Sequence, residues 1–396
     1  MSGAGHDLIA VLNCGSSSIK FALFDTADKP LARVPSWGGK IDGITGNRPT
    51  FSAGDAPTET LTLDAERPYS TALSQLRQRI LARLDGRRIV AIAHRVVHGG
   101  SKYFAPVRVD ADVLADLKGY IPLAPLHQPF ALEAIAALLE TEPQLAQIAC
   151  FDTAFHQTMP TVEQMLPLPR SAWDQGLRRY GFHGLSYAYL AQVLGERYGD
   201  IARGRTIVAH LGSGASLCAM QNLRSSATTM GFSALDGLMM GTRCGALDPG
   251  AVLYLMEIRK LSLEQVGHML YHQSGLLGVS DVSADPRELL QHEDQESVRQ
   301  ALALYVRSIV RQIGALTATL DGLDMLAFTA GIGEHNAAIR SCVCSGLGFL
   351  GVDIDAQANA AHAPVISTAS SKVRVVVEPT NEEWVAATAA AQLISR

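Results

Sequence analysis

The chain has no uninterrupted apolar stretch close to the roughly 18 residues that a membrane-spanning helix needs. Its first residues, MSGAGHDLIAVLNCG, lack the basic start and long apolar core of a signal peptide. Excess positive charge is missing as well. There are 33 Lys and Arg against 38 Asp and Glu, a net charge of −5, which argues against a surface built to coat nucleic acid. Cysteine is sparse and lacks metal-ligand spacing. Four of the six are scattered, and the close pair Cys342 and Cys344 has no second pair to complete a zinc pattern. Reduced thiols in a cytoplasmic protein are the expectation.

What is present is the material of a globular enzyme. Of 396 residues 47% are hydrophobic and 18% charged, enough for two domains that each bury a core. Leu8–Leu12 and Ile19–Phe24 read as strands, and TALSQLRQRILARLDG reads as a helix closed by Gly86. RIVAIAHRVVHGG is a buried strand, PFALEAIAALLETEP a helix, and AQIACFDTAF a strand that delivers Asp152. Strands alternating with helices predict α/β layers.

Three turns stand out. In VLNCGSSSIKFALFD a Gly/Ser bend joins two strand-like runs and exposes N–H groups and hydroxyls, an anion cradle in outline. It is no P-loop, because the chain goes on into a strand rather than a helix. HLGSGASLCAM repeats the pattern, with Gly212 and Ser213 standing where Gly15 and Ser16 stood, an offset of 212 − 15 = 197 residues. An echo at almost half the chain length suggests a duplicated domain. The third turn, in MLAFTAGIGEHNAAIR, places Gly331 and Gly333 before a helix-like run, an arrangement suited to a nucleotide.

The segments NCGSSSIK, HRVVHGG, PLAPLHQP, FDTAFHQTMP, RRYGFHGLSY, HLGSGAS, MGTRCGALDPG, FTAGIGE and PTNEE, in this order over almost the whole chain, resemble the acetate kinase family of the acetate and sugar kinase/Hsc70/actin superfamily. The resemblance implies an α/β fold of two duplicated RNase H-like domains with a cleft between them. It divides them as residues 1–150, joined by a C-terminal helix of about 384–396, and residues 151–383. It also implies the reaction ATP + acetate ⇌ ADP + acetyl phosphate with Mg2+ (Mn2+ as an alternative), in a homodimer that needs neither nucleic acid nor membrane.

A carboxylate acceptor is already ionised at neutral pH and needs no general base. The obstacle is the approach of an anion to a polyanion, so cations must converge on the reacting oxygens. Arginine suits this better than lysine, because its planar fork grips carboxylate or phosphoryl oxygens in pairs. By resemblance, Arg95 of HRVVHGG and Arg243 of MGTRCG flank the transferring group, and His183 of YGFHG donates to it. Asp152 is expected near the metal, and Asn13 and Glu382 are the implied metal ligands. Lys20, Ser16, Ser18, His210, Gly212, Ser213 and Gly214 would face the phosphates. Asp285, Arg287, Gly331, Ile332, Gly333 and His335 would lie toward the adenosine end. Val97, Leu126, Phe182 and Ala234 would form the acceptor pocket, with Ala234 where the family usually has proline.

Besides Ala234, five positions depart from the family pattern. Ser213 replaces asparagine, Cys244 serine, Ala246 aspartate, His335 asparagine and Tyr187 histidine. The arginines, His183, Asp152 and the first turn are untouched, which fits a divergent but active member. Three alternatives stay open: a propionate or butyrate kinase, a catalytically silent ATP clamp, and a sugar kinase with Asp152 as base.

Overall fold

The computed structural model describes residues 6–125 and 127–395. The apolar run at the N-terminus forms β1 (Leu8–Cys14), and the run after the Gly/Ser bend forms β2 (Ser18–Asp25), paired antiparallel from Leu8↔Asp25 to Cys14↔Ile19. The meander continues through β3 (Trp37–Asp42), β4 (Thr50–Ala53) and β5 (Glu59–Thr60). On the other side of β1 lie β6 (Ile89–Val96), then β8 (Ala146–Phe151), both parallel to it, with β7 (Val107–Arg108) at the edge. β8 is buried along its whole length and β6 over Ala91–His94, as expected of strands covered on both faces. The helices expected from periodicity, Pro68–Ala82 and Gln128–Thr141, are present, each with proline in its first turn.

A second sheet is built from β9 (Arg205–Leu211), β10 (Ala215–Gln221), β11 (Arg224–Thr228), β12 (Met325–Thr329) and β13 (Arg374–Val377). Its order is β11-β10-β9-β12-β13, and the first sheet contains the matching order β3-β2-β1-β6-β8. In both, an antiparallel meander is followed by two parallel strands. The 197-residue echo is therefore a repeated topology. Between Leu211 and Ala215 the second bend is one residue shorter than the first, so the offset falls to 215 − 19 = 196 beyond it.

The chain divides into two units, Met1–Ala154 with Asn381–Arg396, and Phe155–Thr380. The last helix, Glu382–Ile394, returns to the first unit and lies against β1, β6 and β8. Its start is fixed by Asn381, whose side chain accepts from Trp384 N at 3.0 Å. No helix among the described residues is long and apolar enough to cross a membrane.

Candidate active site

In the first unit the carboxyl ends of parallel strands converge, the place where open α/β sheets present ligands. Arg95 is in β6, paired with Cys150 of β8, and Asn13 follows Leu12, the partner of His94. Asp152 is the residue after β8 and is almost fully buried. Arg95 Nε donates to both Asp152 oxygens at 3.0 Å and Nη2 donates to Oδ2 at 2.8 Å. Its remaining arm, Nη1, is 2.7 Å from Glu382 Oε2. Because Asn381 supplies the helix cap, Glu382 is available to the guanidinium. Burial works against the Arg95 cation, but Asp152 and Glu382 outweigh it and hold the group above its ordinary value. Burial pushes the Asp152 carboxyl up to about 6 against the pull of Arg95, and Glu382 adds in the same upward sense.

The first turn borders this cluster along β1. Gly15 N bonds Ser18 O at 2.8 Å to close the bend, Ser16 and Lys20 are exposed, and Ser18 is half-buried. Val97 follows β6 and is half-buried. Leu126 lies outside the described residues.

The second unit assembles a different set. His183 sits at φ +58°, in the left-handed region, immediately before the helix Gly184–Tyr198. A non-glycine residue held there stores strain of about 1–3 kcal/mol, a feature that clusters at functional sites. Two residues before it, Gly181 has φ +74°, and a Cβ there would come within 2.5 Å of the His156 ring. That packing is why the motif needs its first glycine. His156 Nε2 meets the Phe182 carbonyl at 2.9 Å and Nδ1 meets Ser225 Oγ at 2.8 Å, so the buried imidazole braces the backbone before His183.

The His183 ring stacks on the ring of His210, with centroids 4.1 Å apart and planes 15° from parallel. His183 Nδ1 is 2.7 Å from Ser216 Oγ, and His210 Nδ1 is 2.9 Å from Ser186 Oγ. Both rings border the bend between β9 and β10. A Cβ on Gly214 would lie 3.3 Å from His183 Nε2 and 3.6 Å from Arg243 Nη1. The bend thus passes close to both nitrogens, and a side chain at Gly214 would crowd His183. Arg243 Nη1 also donates to the Ala234 carbonyl at 3.3 Å. Burial lowers the Arg243 pKa, with Tyr271 pulling weakly the other way. Ser213 is exposed at the tip of the bend.

The residues expected at the adenosine end divide. Asp285 accepts from Arg287 N at 2.8 Å as the cap of the short helix Pro286–Leu289, and the two side chains pair with each other on the surface. Gly331 and Gly333 are not a loop before a helix: the helix begins at Ala330 and runs to His335, with both glycines inside it. Glu334 Oε1 accepts from Ala330 N at 2.8 Å and from Thr380 N at 3.3 Å, tying the bend to the chain beyond β13. Arg340, fully buried, donates to the Gly333 and Glu334 carbonyls at 2.8 Å. Ile332 is half-buried and His335 exposed.

The sequence profile of the Acetokinase family matches residues 8–388. The chain belongs to that family. It is 48% identical over 384 residues to an acetate kinase of Rhodopseudomonas palustris strain TIE-1, covering 95% of this chain and 96% of the relative. It is 44% identical over 394 residues to an acetate kinase of Rhizobium meliloti, covering 98% and 99%. Among solved structures, a propionate kinase from Francisella tularensis superposes with a TM-score of 0.89 at 34% identity, covering 98% of this chain and 99% of that one. The acetate kinase of Porphyromonas gingivalis gives 0.85, also at 34%, covering 98% and 100%.

Acetokinase motifs thus name Arg95, Asp152, His183, His210 and Arg243, but not the side chains that hold them. Ser186, Tyr187 and Ser216 were missed. The signal was available for two of them, since Ser186 and Tyr187 stand three and four residues after His183 and share its helix face. Ser216 lies two residues beyond Gly214 on a strand, where alternation alone cannot say what it faces.

Three buried histidines give the fold an acid sensitivity. Burial pushes His94, His98 and His156 each down to about 4, whereas an unfolded chain protonates them near 6.5. Between those values the unfolded state binds more protons, so stability is full above 6.5 and is lost as pH falls toward 4, by at most about 1.4 kcal/mol per pH unit per histidine. Asp152, pushed up to about 6, acts in the opposite sense over 6 to 4 but is one group against three. We expect the melting temperature to fall clearly between pH 6.5 and 5. Calorimetry showing a flat or rising value would contradict this.

Proposed function

We propose that the chain transfers the terminal phosphoryl group of ATP reversibly and directly to acetate, giving ADP and acetyl phosphate. The observation that supports this most is the convergence of His183 Nε2 and Arg243 Nη1 beside the Gly212–Gly214 bend. A ring nitrogen and a guanidinium beside one bend suit a charged phosphoryl group. Arg243 is assigned as a cation that offsets repulsion between carboxylate and phosphate, and Arg95 is assigned the same role. Ser213 and Gly214 of the bend are assigned to phosphate oxygens, while Gly212 N donates to the Gly214 carbonyl at 3.1 Å and closes the bend; Ser16, Ser18 and Lys20 are assigned the same phosphate-binding role. No side chain is required to remove a proton, so Asp152 is not assigned as a base.

Oxygen donors for Mg2+ are available in Asp152, Glu382 and Asn13. With Arg95 the two carboxylates form a cluster of net charge −1, which favours a cation. Among the described residues no group of three His, Cys, Asp or Glu could form a closed metal cage. That suits Mg2+, which usually keeps waters and shares phosphate oxygens. When bound with ATP the ion would neutralise charge on the phosphates. We expect Glu382→Gln to raise the Mg2+ concentration for half-maximal activity by about 10-fold or more. An unchanged Mg2+ requirement would remove Glu382 from the site.

Phe182, Val97, Leu126 and Ala234 are each assigned to acceptor binding, and Asp285, Arg287, Gly331, Ile332, Gly333 and His335 to the nucleotide. The test is trapping of acyl phosphate as hydroxamate, with ATP, Mg2+ and acetate, propionate or butyrate. Acetate should be converted best, with propionate close behind, because Ala234 leaves room and one methylene is worth only about 1–3 kcal/mol. ATP consumption that ignores added carboxylate would favour an ATP clamp and defeat the proposal. The six cysteines are free thiols, in keeping with a reducing, cytoplasmic compartment.

The proposed assembly is a homodimer. The helix Pro249–Glu257 has no buried residue, although its sequence is PGAVLYLME. Leu253, Tyr254, Ile258 and Leu263 are 53–76% exposed on it and just beyond it. An apolar patch of this kind favours cover by a second copy of the chain. Ile258→Glu with Leu253→Glu should convert the protein to monomer by light scattering; a wild-type protein already monomeric at micromolar concentration would refute the assignment.

A further inference from the structure

His183 can present only one ring nitrogen to the Gly212–Gly214 bend, and the buried hydroxyls behind it determine whether that nitrogen carries a proton. Tyr187 is fully buried in the second unit, and its Oη has one hydrogen-bond partner among the described residues, Ser216 Oγ at 2.6 Å. Burial raises the phenol well above its ordinary pKa, so it keeps its proton. An O–H buried without an acceptor is costly, so that proton points at Ser216. Ser216 is also fully buried and, among the described residues, its hydroxyl meets Tyr187 Oη and His183 Nδ1. With Tyr187 donating to it, the serine proton is left one destination, His183 Nδ1. A neutral imidazole that accepts at Nδ1 carries its proton on Nε2. Nε2 is the atom beside Gly214.

We propose that Tyr187 and Ser216 form a one-way hydroxyl relay that locks His183 in the Nε2–H tautomer, so that it faces the bend as a neutral donor. Both are positioning residues, since neither reaches the bend itself. The relay runs through one of the positions where this chain departs from its family's pattern, so Tyr187 is a working part of the site and not a sign of lost activity. The stacked neighbour repeats the arrangement, with the fully buried Ser186 behind His210 Nδ1. Only the consequence for catalysis rests on the kinase reading; the tautomer does not.

The decisive measurement is the long-range proton–nitrogen correlation spectrum of 15N-labelled full-length protein. His183 should appear as Nε2–H with Nδ1 bare. A proton on Nδ1 in the wild type overturns the relay. In Tyr187→Phe the serine is free to turn, both tautomers should appear, and kcat should fall about 10-fold while KM for ATP and acetate stays within about twofold. Ser216→Ala should do the same, and the double variant should be no worse than Ser216→Ala alone. Losses that multiply in the double variant, or an unchanged tautomer in Tyr187→Phe, reject the proposal. Should Tyr187→Phe fail to fold, the wild-type spectrum and Ser216→Ala still decide. A wild-type protein without kinase activity but with His183 as Nε2–H would remove the kinase reading and leave the relay standing.

Discussion

Arg95→Ala should unfold the first unit more easily as well as stop the reaction. The guanidinium serves two carboxylates, Asp152 with 3% and Glu382 with 13% of its side chain exposed. Removing it leaves both acids in a poorly solvated space with no cation between them. Breaking a buried ion pair from one side typically costs about 3–5 kcal/mol, because the surviving charge is uncompensated. Part of the loss is recovered when Asp152, already pushed up to about 6, takes a proton. Catalysis should suffer separately. One cation about 4 Å from the reacting oxygens is worth roughly 4 kcal/mol at an effective dielectric near 20, or nearly a thousandfold in rate. The two losses can be separated by adding Glu382→Gln to Arg95→Ala. The double variant should regain stability, because one of the stranded charges is gone, but no activity. A melting temperature of Arg95→Ala within a degree or two of wild type would show that the cluster is not held as described.

Arg243→Ala should give the opposite signature, a rate loss of about a thousandfold with little change in stability. On balance the surroundings of Arg243 disfavour its charge: burial lowers its pKa, and the pull of Tyr271 does not restore it. Arg243 donates to the Ala234 carbonyl and contacts Met240 Sδ. A group kept charged where folding gains little from the charge is a candidate for use on a ligand. Arg243→Lys should recover only a small part of kcat, since a point charge cannot replace two parallel N–H donors. Near-normal turnover in Arg243→Ala would defeat the assignment, and a collapse in melting temperature would recast the residue as structural.

The sequence by itself determined the elements, the duplication and the family. Strand and helix periods follow from which residues must face a core, and these are local patterns. The bends at Gly15 and Gly212 are legible for the same reason, because glycine and serine mark them wherever they fall. Motifs likewise identify Arg95, Asp152, His183 and Arg243 one at a time. What tertiary structure alone decided is how side chains far apart in the sequence share protons and charge. Glu382 reaches Arg95 across 287 residues of chain (382 − 95) because the last helix returns to the first sheet. Gly331 and Gly333 belong to a helix because Glu334 and the buried Arg340 fix its ends, which glycine propensity opposes. Tyr187 departs from the family pattern as a residue type, and only its 2.6 Å contact with Ser216 makes it an anchor. Hydrophobic period is written residue by residue, whereas a hydrogen bond between buried groups exists only after the chain has closed around both.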